Sequence, residues 1–381
     1  MKKIAIIYEF LSEIGGLETT MVNNYNWLKN KFDVFLGFAH INKETTKNEL
    51  YKGIKIKKLS KFLIKNESVE VIWFCINPFI RKIRVNLAIS NSFLVSYYCY
   101  RKKIPYIIYL HHPPNFLYFK SKQDEKDWVN GPKRYFAWLG GKLIGNWLRK
   151  LDKKVVKNAR LLFVNSDCSK RRIKEIYNEE AIVVYPTVQP TKKQGFRVLD
   201  IKKKNFIYTH GRIIPDKKTE FVIESMKYLP GLELIISGKI EKNYENNLKA
   251  LIKKLKLEKK VRMLGRVSED ELIRLYNEAG VFVMTAPKED FGIVPIEALS
   301  CGTPVIAWGD GAGPTEYIIE NVNGFLAKPY DIKDLAGKIK KALSKKWDRS
   351  RIRKTTEKFS DDAQSRVFVN EIEKLVKSHN L

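Results

Sequence analysis

Two carboxylates, Glu289 and Glu297, stand with seven residues between them in the segment Lys288-Glu289-Asp290-Phe291-Gly292-Ile293-Val294-Pro295-Ile296-Glu297-Ala298-Leu299-Ser300-Cys301-Gly302-Thr303-Pro304-Val305-Ile306-Ala307. A carboxylate accepts hydrogen bonds from hydroxyls, so the pair suits a sugar or a ribose. Pro295 fits the first turn of a helix, where its missing N–H costs nothing, and Gly302 fits the stop at the other end. The loop Asp290–Val294, with Phe291, Gly292 and Ile293, then presents backbone N–H groups at a helix N-terminus, a setting for phosphate or a polar sugar. The plainer account of Glu297 is an acid drawn into a first helical turn by the macrodipole.

Cations follow a different strand. In His210-Gly211-Arg212-Ile213-Ile214-Pro215-Asp216-Lys217, Arg212 offers a forked donor pair and Lys217 a point charge, both matched to a diphosphate. Two basic residues mean little among the 71 of this chain; their place directly after a strand, where parallel sheets bind ligands, is what singles them out. Gly15-Gly16 follows the first strand and permits close approach of a phosphate, although most such pairs are only turns. The spacing Gly-x-Gly-x-x-Gly is absent there, so a dinucleotide fingerprint is not supported. His111-His112-Pro113-Pro114 follows another strand; these histidines either hydrogen-bond a sugar or acceptor or merely close the strand. Asp310-Gly311-Ala312-Gly313-Pro314-Thr315-Glu316 is a further glycine loop of the same kind.

The elements that must hold these loops alternate between strand and helix. Lys3–Tyr8, Phe32–Phe38, Leu87–Ser90, Tyr106–Leu110 and Leu161–Asn165 are apolar strand candidates, with a helix over Leu17–Lys29. The pattern restarts with strands at Asn205–Thr209, Leu232–Ser237, Val261–Leu264, Val281–Thr285 and Pro304–Ala307. Helices fall between them at Thr219–Tyr228, Glu245–Lys256, Glu269–Glu278 and Ile296–Ser300, and one more spans Asp331–Leu343. Buried strands separated by helices imply parallel sheets covered on both faces. The chain therefore divides into an N-terminal doubly wound domain over 1–188, a polar basic linker over 189–204, a second doubly wound domain over 205–354, and a last helix over 355–381 expected to return to the first domain.

Apolar residues make up 44% of the chain and charged residues 30%, which fits folded cores. Four scattered cysteines (Cys75, Cys99, Cys168, Cys301) show neither a disulfide framework nor a metal knuckle. The first residues end an apolar run early, at Glu9 and Glu13, and read as a strand, not a secretory signal; the expected location is cytoplasmic. The net charge of +29 calls for an anionic partner, whether nucleic acid, phosphorylated substrate or anionic membrane, unless it is a general surface trait. An apolar stripe over 135–151 (Phe136, Leu139, Leu143, Ile144, Trp147, Leu148, Leu151) adjoins the stretch Lys142–Lys174, which holds 11 basic and 2 acidic residues. The stripe either faces an anionic membrane or packs into the first domain's core.

The order of these segments resembles glycosyltransferase family 4, the retaining enzymes of the GT-B fold, over nearly the whole chain and most specifically over Glu289–Ala307. The resemblance implies two Rossmann-like doubly wound domains facing a central cleft, the N-terminal domain over 1–188 binding the acceptor and the C-terminal domain over 205–354 binding the nucleotide-sugar. It implies that Glu297 holds the ribose, Glu289 a hydroxyl of the transferred sugar, and Arg212 and Lys217 the leaving diphosphate. The amides of Phe291, Gly292 and Ile293 would line the donor sugar, Gly16 with Gly15 and Gly211 would approach the donor, and His111 or His112 would face the reacting sugar. The stretch His111–Tyr118 also resembles mannosyl- and glucosyltransferases of lipid-linked glycan assembly. Asp290 stands where many relatives carry glycine, and Ala312 interrupts the glycine loop. The expected co-substrate is a nucleotide diphosphate-sugar, and no metal or other cofactor is expected, since no Asp-x-Asp is present. The expected acceptor is a glycan, lipid-linked at an anionic membrane face. A nucleotide-sugar epimerase on this fold is an alternative. A nucleic-acid-binding protein is a weaker one: 7 Trp, 18 Tyr and 20 Phe accompany the charge, but no recognition motif does.

Overall fold

The computed structural model describes residues 1–12, 15–60, 67–77, 79–114, 116–119, 122, 125, 129, 132–188 and 195–379. Glu13, Asn115, residues 189–194 of the expected linker and residues 380–381 lie outside the described residues. The chain forms two compact units, Met1–Thr187 with Asp361–Leu381, and Val188–Ser360.

The first unit holds a seven-stranded parallel sheet in the order β3-β2-β1-β4-β5-β6-β7. Its strands are β1 (Lys3–Leu11), β2 (Asp33–Ile41), β3 (Ile56–Lys58), β4 (Leu87–Ser90), β5 (Tyr106–Leu110), β6 (Leu162–Val164) and β7 (Ile182–Val183). Its helices are α1 (Gly16–Leu28), α2 (Lys43–Thr46), α3 (Glu67–Ile76), α4 (Phe93–Arg101), α5 (Pro132–Lys157) and α6 (Asp167–Tyr177). Central strands are largely apolar because both sheet faces are covered. On β1, Ile4 and Ile6 enter one core with α1, while Ala5 and Ile7 enter the other with α3 and α4. The last helix, α13 (Asp361–Ser378), belongs to this unit. Its Phe368, Ile372 and Leu375 complete the first of those cores, and Trp27 Nε1 donates to Asp361 Oδ1 at 2.7 Å.

The second unit repeats the plan with six parallel strands in the order β10-β9-β8-β11-β12-β13. They are β8 (Phe206–His210), β9 (Glu233–Ser237), β10 (Val261–Gly265), β11 (Val281–Val283), β12 (Val305–Trp308) and β13 (Gly324–Ala327). Its helices are α7 (Glu220–Ser225), α8 (Lys242–Lys254), α9 (Glu269–Glu278), α10 (Ile293–Ser300), α11 (Ile332–Ser344) and α12 (Arg349–Lys354). The expected helix over Thr219–Tyr228 is shorter: α7 tightens into a 3-10 turn at Met226–Tyr228. In each sheet the order reverses beside the strand that opens the unit, between β1 and β4 and between β8 and β11. Crevices outside the carboxyl ends of strands at such reversals are where open α/β sheets bind ligands.

The stripe over 135–151 lies on α5 and is split. Leu139, Leu148 and Leu151 are half-buried, whereas Phe136, Leu143, Ile144 and Trp147 are exposed. A wholly core-packed stripe is therefore corrected: Phe136, Leu143, Ile144 and Trp147 of α5 face solvent.

Candidate active site

Eight of the residues singled out in the sequence come together around the carboxyl edge of the second sheet. β8 ends at His210, and Gly211 then takes φ +134. Gly238, after β9, takes φ +125, and a Cβ there would lie 1.8 Å from the Gly211 carbonyl oxygen. Two strand-end loops thus meet backbone to backbone, which only glycine allows. Arg212 follows, exposed, and makes no hydrogen bond or ion pair among the described residues. Lys217 closes a 3-10 turn opened by Pro215.

From the neighbouring strand β11 the chain runs through the loop that carries Glu289. Lys217 Nζ donates to Glu289 Oε2, an ion pair between two residues 72 apart in sequence. An ammonium has three donors and a carboxylate two acceptor oxygens, so each partner keeps bonding capacity for a ligand. Gly292 caps α10 with φ +83, a conformation that favours glycine, and Ile293 is the first helical residue. The Asp310–Glu316 loop supports this one. Asp310 Oδ2 accepts from Lys288 N at 2.6 Å, and Gly313 N donates to the Glu289 carbonyl at 2.8 Å. Tyr317 Oη donates to the Phe291 and Gly292 carbonyls at 2.9 and 3.2 Å. A Cβ at Gly313 would fall 2.5 Å from the Asp290 carbonyl oxygen. The third glycine loop, read from sequence as a ligand loop, is thus a buttress that fixes the backbone of Asp290–Gly292.

Glu297 needs a correction. α10 begins at Ile293, so Glu297 sits in its second turn, where the macrodipole has faded. Its carboxyl is partly buried, and burial pushes its pKa up to about 7 despite the opposing hydrogen bond from Tyr276. Tyr276 Oη donates to Glu297 Oε2 at 2.7 Å. The Tyr276 ring in turn packs edge-on against Tyr208 and His210, with centroids 5.3 and 6.0 Å apart. Burial holds the His210 imidazole down at about 4, so it is neutral at pH 7; its Nδ1 lies 2.8 Å from Ser237 Oγ. Sequence reasoning missed Tyr276 and Tyr317. Both are aromatic positions whose hydroxyls acquire a task only through contacts distant in sequence.

The other four residues lie at the carboxyl edge of the first sheet. Gly15 precedes α1 and its N–H donates to Glu18 Oε2 at 3.0 Å; Gly16 is the first residue of that helix. His111 and His112 follow β5. The His111 ring packs edge-on against Tyr109 with centroids 4.7 Å apart, while His112 is exposed with Nδ1 3.0 Å from the Pro113 carbonyl oxygen. Among the described residues no group of three or more His, Cys, Asp and Glu side chains is arranged to hold a metal ion.

Residues 191–359 match the family model described as glycosyl transferases group 1. A probable sucrose-phosphate synthase of Thermosipho melanesiensis is 37% identical over 176 residues, which cover 44% of this chain and 41% of that protein. A D-inositol 3-phosphate glycosyltransferase of Mycobacterium sp. (strain KMS) is 28% identical over 208 residues, covering 51% and 47%. The matched part thus amounts to less than half the length of either relative. Solved structures extend the likeness to the whole fold. The lipopolysaccharide outer core galactosyltransferase WaaB superposes with a TM-score of 0.71 at 20% identity, covering 98% of this chain and 99% of that one. Anabaena Alr3699/HepE in complex with UDP and glucose gives a TM-score of 0.72 at 17% identity, covering 98% and 100%. The two parallel-sheet α/β units have the GT-B fold of these structures, and the family model covers nearly all of the second unit.

Proposed function

We propose that the chain is a retaining glycosyltransferase of family 4 that moves a hexose, mannose or glucose, from a GDP- or UDP-sugar to a glycan acceptor, lipid-linked at a membrane face. The observation that carries this reading is the Lys217–Glu289 pair, held beside unpaired Arg212 and the N-terminus of α10 at the sheet reversal. Arg212 and Lys217 meet the diphosphate, whose charge grows as its bond to the sugar C1 breaks. Preorganised cations therefore stabilise the transition state more than the ground state. Glu289 accepts from a sugar hydroxyl, with Gly211, Phe291, Gly292 and Ile293 presenting backbone to the donor, and Glu297 accepts from the ribose. Gly15, Gly16, His111 and His112 serve the acceptor side and the reacting sugar. No metal is required, because the two cations do the neutralising.

The acceptor is anionic on this reading. The relatives' names include sucrose-phosphate and inositol 3-phosphate, and a net charge of +29 suits a phosphate-bearing acceptor, as a lipid-linked glycan is. The cationic, outward-facing α5 brings the enzyme to an anionic membrane surface as a peripheral protein. Incubation with UDP- and GDP-sugars, with and without acceptor, tests the function. Slow donor hydrolysis and transfer that persists in EDTA are the expected result, with the α-linkage kept on NMR. No turnover of any nucleotide sugar, or interconversion of donor sugars without transfer, refutes it.

A further inference from the structure

Helices α3, α4 and α5 pack on one side of the seven-stranded sheet, over the core formed by Val71, Phe74, Val95, Tyr98, Val155 and Val156. The outward side of this layer is apolar as well. On α3, Val69, Ile72, Trp73 and Ile76 recur at the spacing of a buried helical stripe, yet each is about half exposed, and Phe79 just beyond is 90% exposed. On α5, Leu143 is 75% and Trp147 59% exposed. α3 is thus apolar on two sides, a pattern that water alone does not favour in a surface helix.

The charges around these stripes are mostly basic, with Glu125, paired to Lys142 of α5 at 2.8 Å, as an acidic exception. No acidic residue occurs between Glu70 and Asp124. Glu70 itself is buried and taken up by Lys58 and His40. Arg81, Lys82 and Arg84 follow Phe79, and Lys82 Nζ donates to the Lys103 carbonyl, which brings Arg101–Lys103 to the same edge. The single acid of α5, Asp152, is buried, and Lys154 lies 5.8 Å over the Tyr100 ring of α4, so cation and aromatic surface run across the layer.

We propose that this helical layer is a bilayer-binding face and that α3 with Phe79 is its inserting edge, the occupant being an anionic phospholipid surface. Half-exposed aliphatic and aromatic side chains fit the boundary between headgroups and acyl chains, and the cationic rim fits the headgroup phosphates. The inference deepens the peripheral reading of α5 and rests on it for the nature of the occupant.

Co-sedimentation of the full chain with phosphatidylcholine vesicles, with and without phosphatidylglycerol, tests it. Binding requires phosphatidylglycerol, and Ile76→Ser with Phe79→Ser weakens partitioning about tenfold for each side chain, the loss that accompanies roughly 1.5 kcal/mol of apolar burial. Val69→Ser with Ile72→Ser, a second pair on the same stripe, has a similar effect. Arg81→Gln with Lys82→Gln weakens it about fivefold per charge, and high salt removes that difference. Circular dichroism and donor hydrolysis stay unchanged, because these side chains lie outside the core and the second unit. If the unaltered chain binds and both α3 pairs bind equally well, while Leu143→Ser with Trp147→Ser does not, α5 docks alone and the assignment of α3 is overturned. Failure of the unaltered chain to bind any vesicle overturns the peripheral reading together with it.

Discussion

Removing one hydroxyl tests the electrostatics of the site. With its pKa raised to about 7, Glu297 is about half ionised at neutral pH. Ribose hydroxyls are best accepted by the carboxylate, so donor binding strengthens as pH rises through that value. Between pH 8 and pH 6 the dissociation constant of the nucleotide should rise about tenfold, because each pH unit below the pKa cuts the ionised fraction about tenfold. Tyr276→Phe deletes a hydrogen bond to that carboxylate, at 2.7 Å. A hydrogen bond to a charged group contributes about 1.5–3 kcal/mol. At 1.36 kcal/mol per unit, its loss raises the carboxyl by roughly one to two further units. The falling limb of the binding profile should therefore move up by one to two pH units, and affinity at pH 7 should drop about five- to fiftyfold, since the unaltered carboxyl is already only half ionised there. Calorimetric titration of UDP and GDP from pH 5.5 to 9 reads this, with Glu297→Gln as the control that keeps the ligand's own phosphate titration and removes the carboxyl. An identical pH profile for the unaltered chain and Glu297→Gln would refute the reasoning, as would a Tyr276→Phe profile that weakens uniformly without shifting.

The same carboxyl sets a stability trend. An acid whose folded pKa is above its unfolded value holds a proton in the folded state that the unfolded state has lost, so folding stability should fall as pH rises from about 4.5 to about 7, by about 3 kcal/mol in all. Thermal unfolding of Glu297→Gln should lack that decline. Arg212→Ala and Lys217→Ala should each lower turnover roughly 100-fold with circular dichroism unchanged, and activity should survive EDTA; loss in chelator with rescue by Mg²⁺ would show that the cations are not sufficient. Gly313→Ala places a methyl 2.5 Å from the Asp290 carbonyl oxygen, so it should cost about 1–3 kcal/mol in denaturant unfolding and weaken donor binding.

The sheets were legible because their strands are short apolar runs between helical patterns. Leu87–Ser90 and Tyr106–Leu110 match residue for residue, and most other expected elements differ by a residue or two at an end. Helix ends were less legible. Glu297 was placed one turn too early because α10 starts at Ile293, ahead of the proline that seemed to mark its first turn. The site residues were visible wherever a charged or glycine residue follows a strand, as Arg212 and Gly292 do. What stayed hidden was the support. Asp310 and Gly313 advertise a ligand loop in sequence, and only the backbone hydrogen bonds between that loop and Lys288–Glu289 reveal a prop. The stripes on α3 and α5 were ambiguous for a related reason, since periodicity records that a face is apolar and not what covers it.

The Glu289–Glu297 pair reads differently once both environments are known. The two carboxylates share one loop and helix, yet neither could do the other's work. Glu289 stands in a loop with a cation bonded to one of its oxygens, so its charge is compensated before a ligand arrives and its geometry is tied to that of Lys217. On the proposed reading, a donor bound there would engage an acid and a base whose positions are coupled, linking recognition of the sugar to neutralisation of the diphosphate. Glu297 accepts from the Tyr276 phenol and sits in a buried setting that resists ionisation. Nucleotide binding at Glu297 is therefore expected to release a proton below about pH 7, while binding at Glu289 draws on a charge already paired. The loop props at Asp310, Gly313 and Tyr317 matter for both, because the backbone they fix sets the distance between the two carboxylates. On the proposed reading, a shift of that loop would uncouple sugar from nucleotide recognition without touching either glutamate.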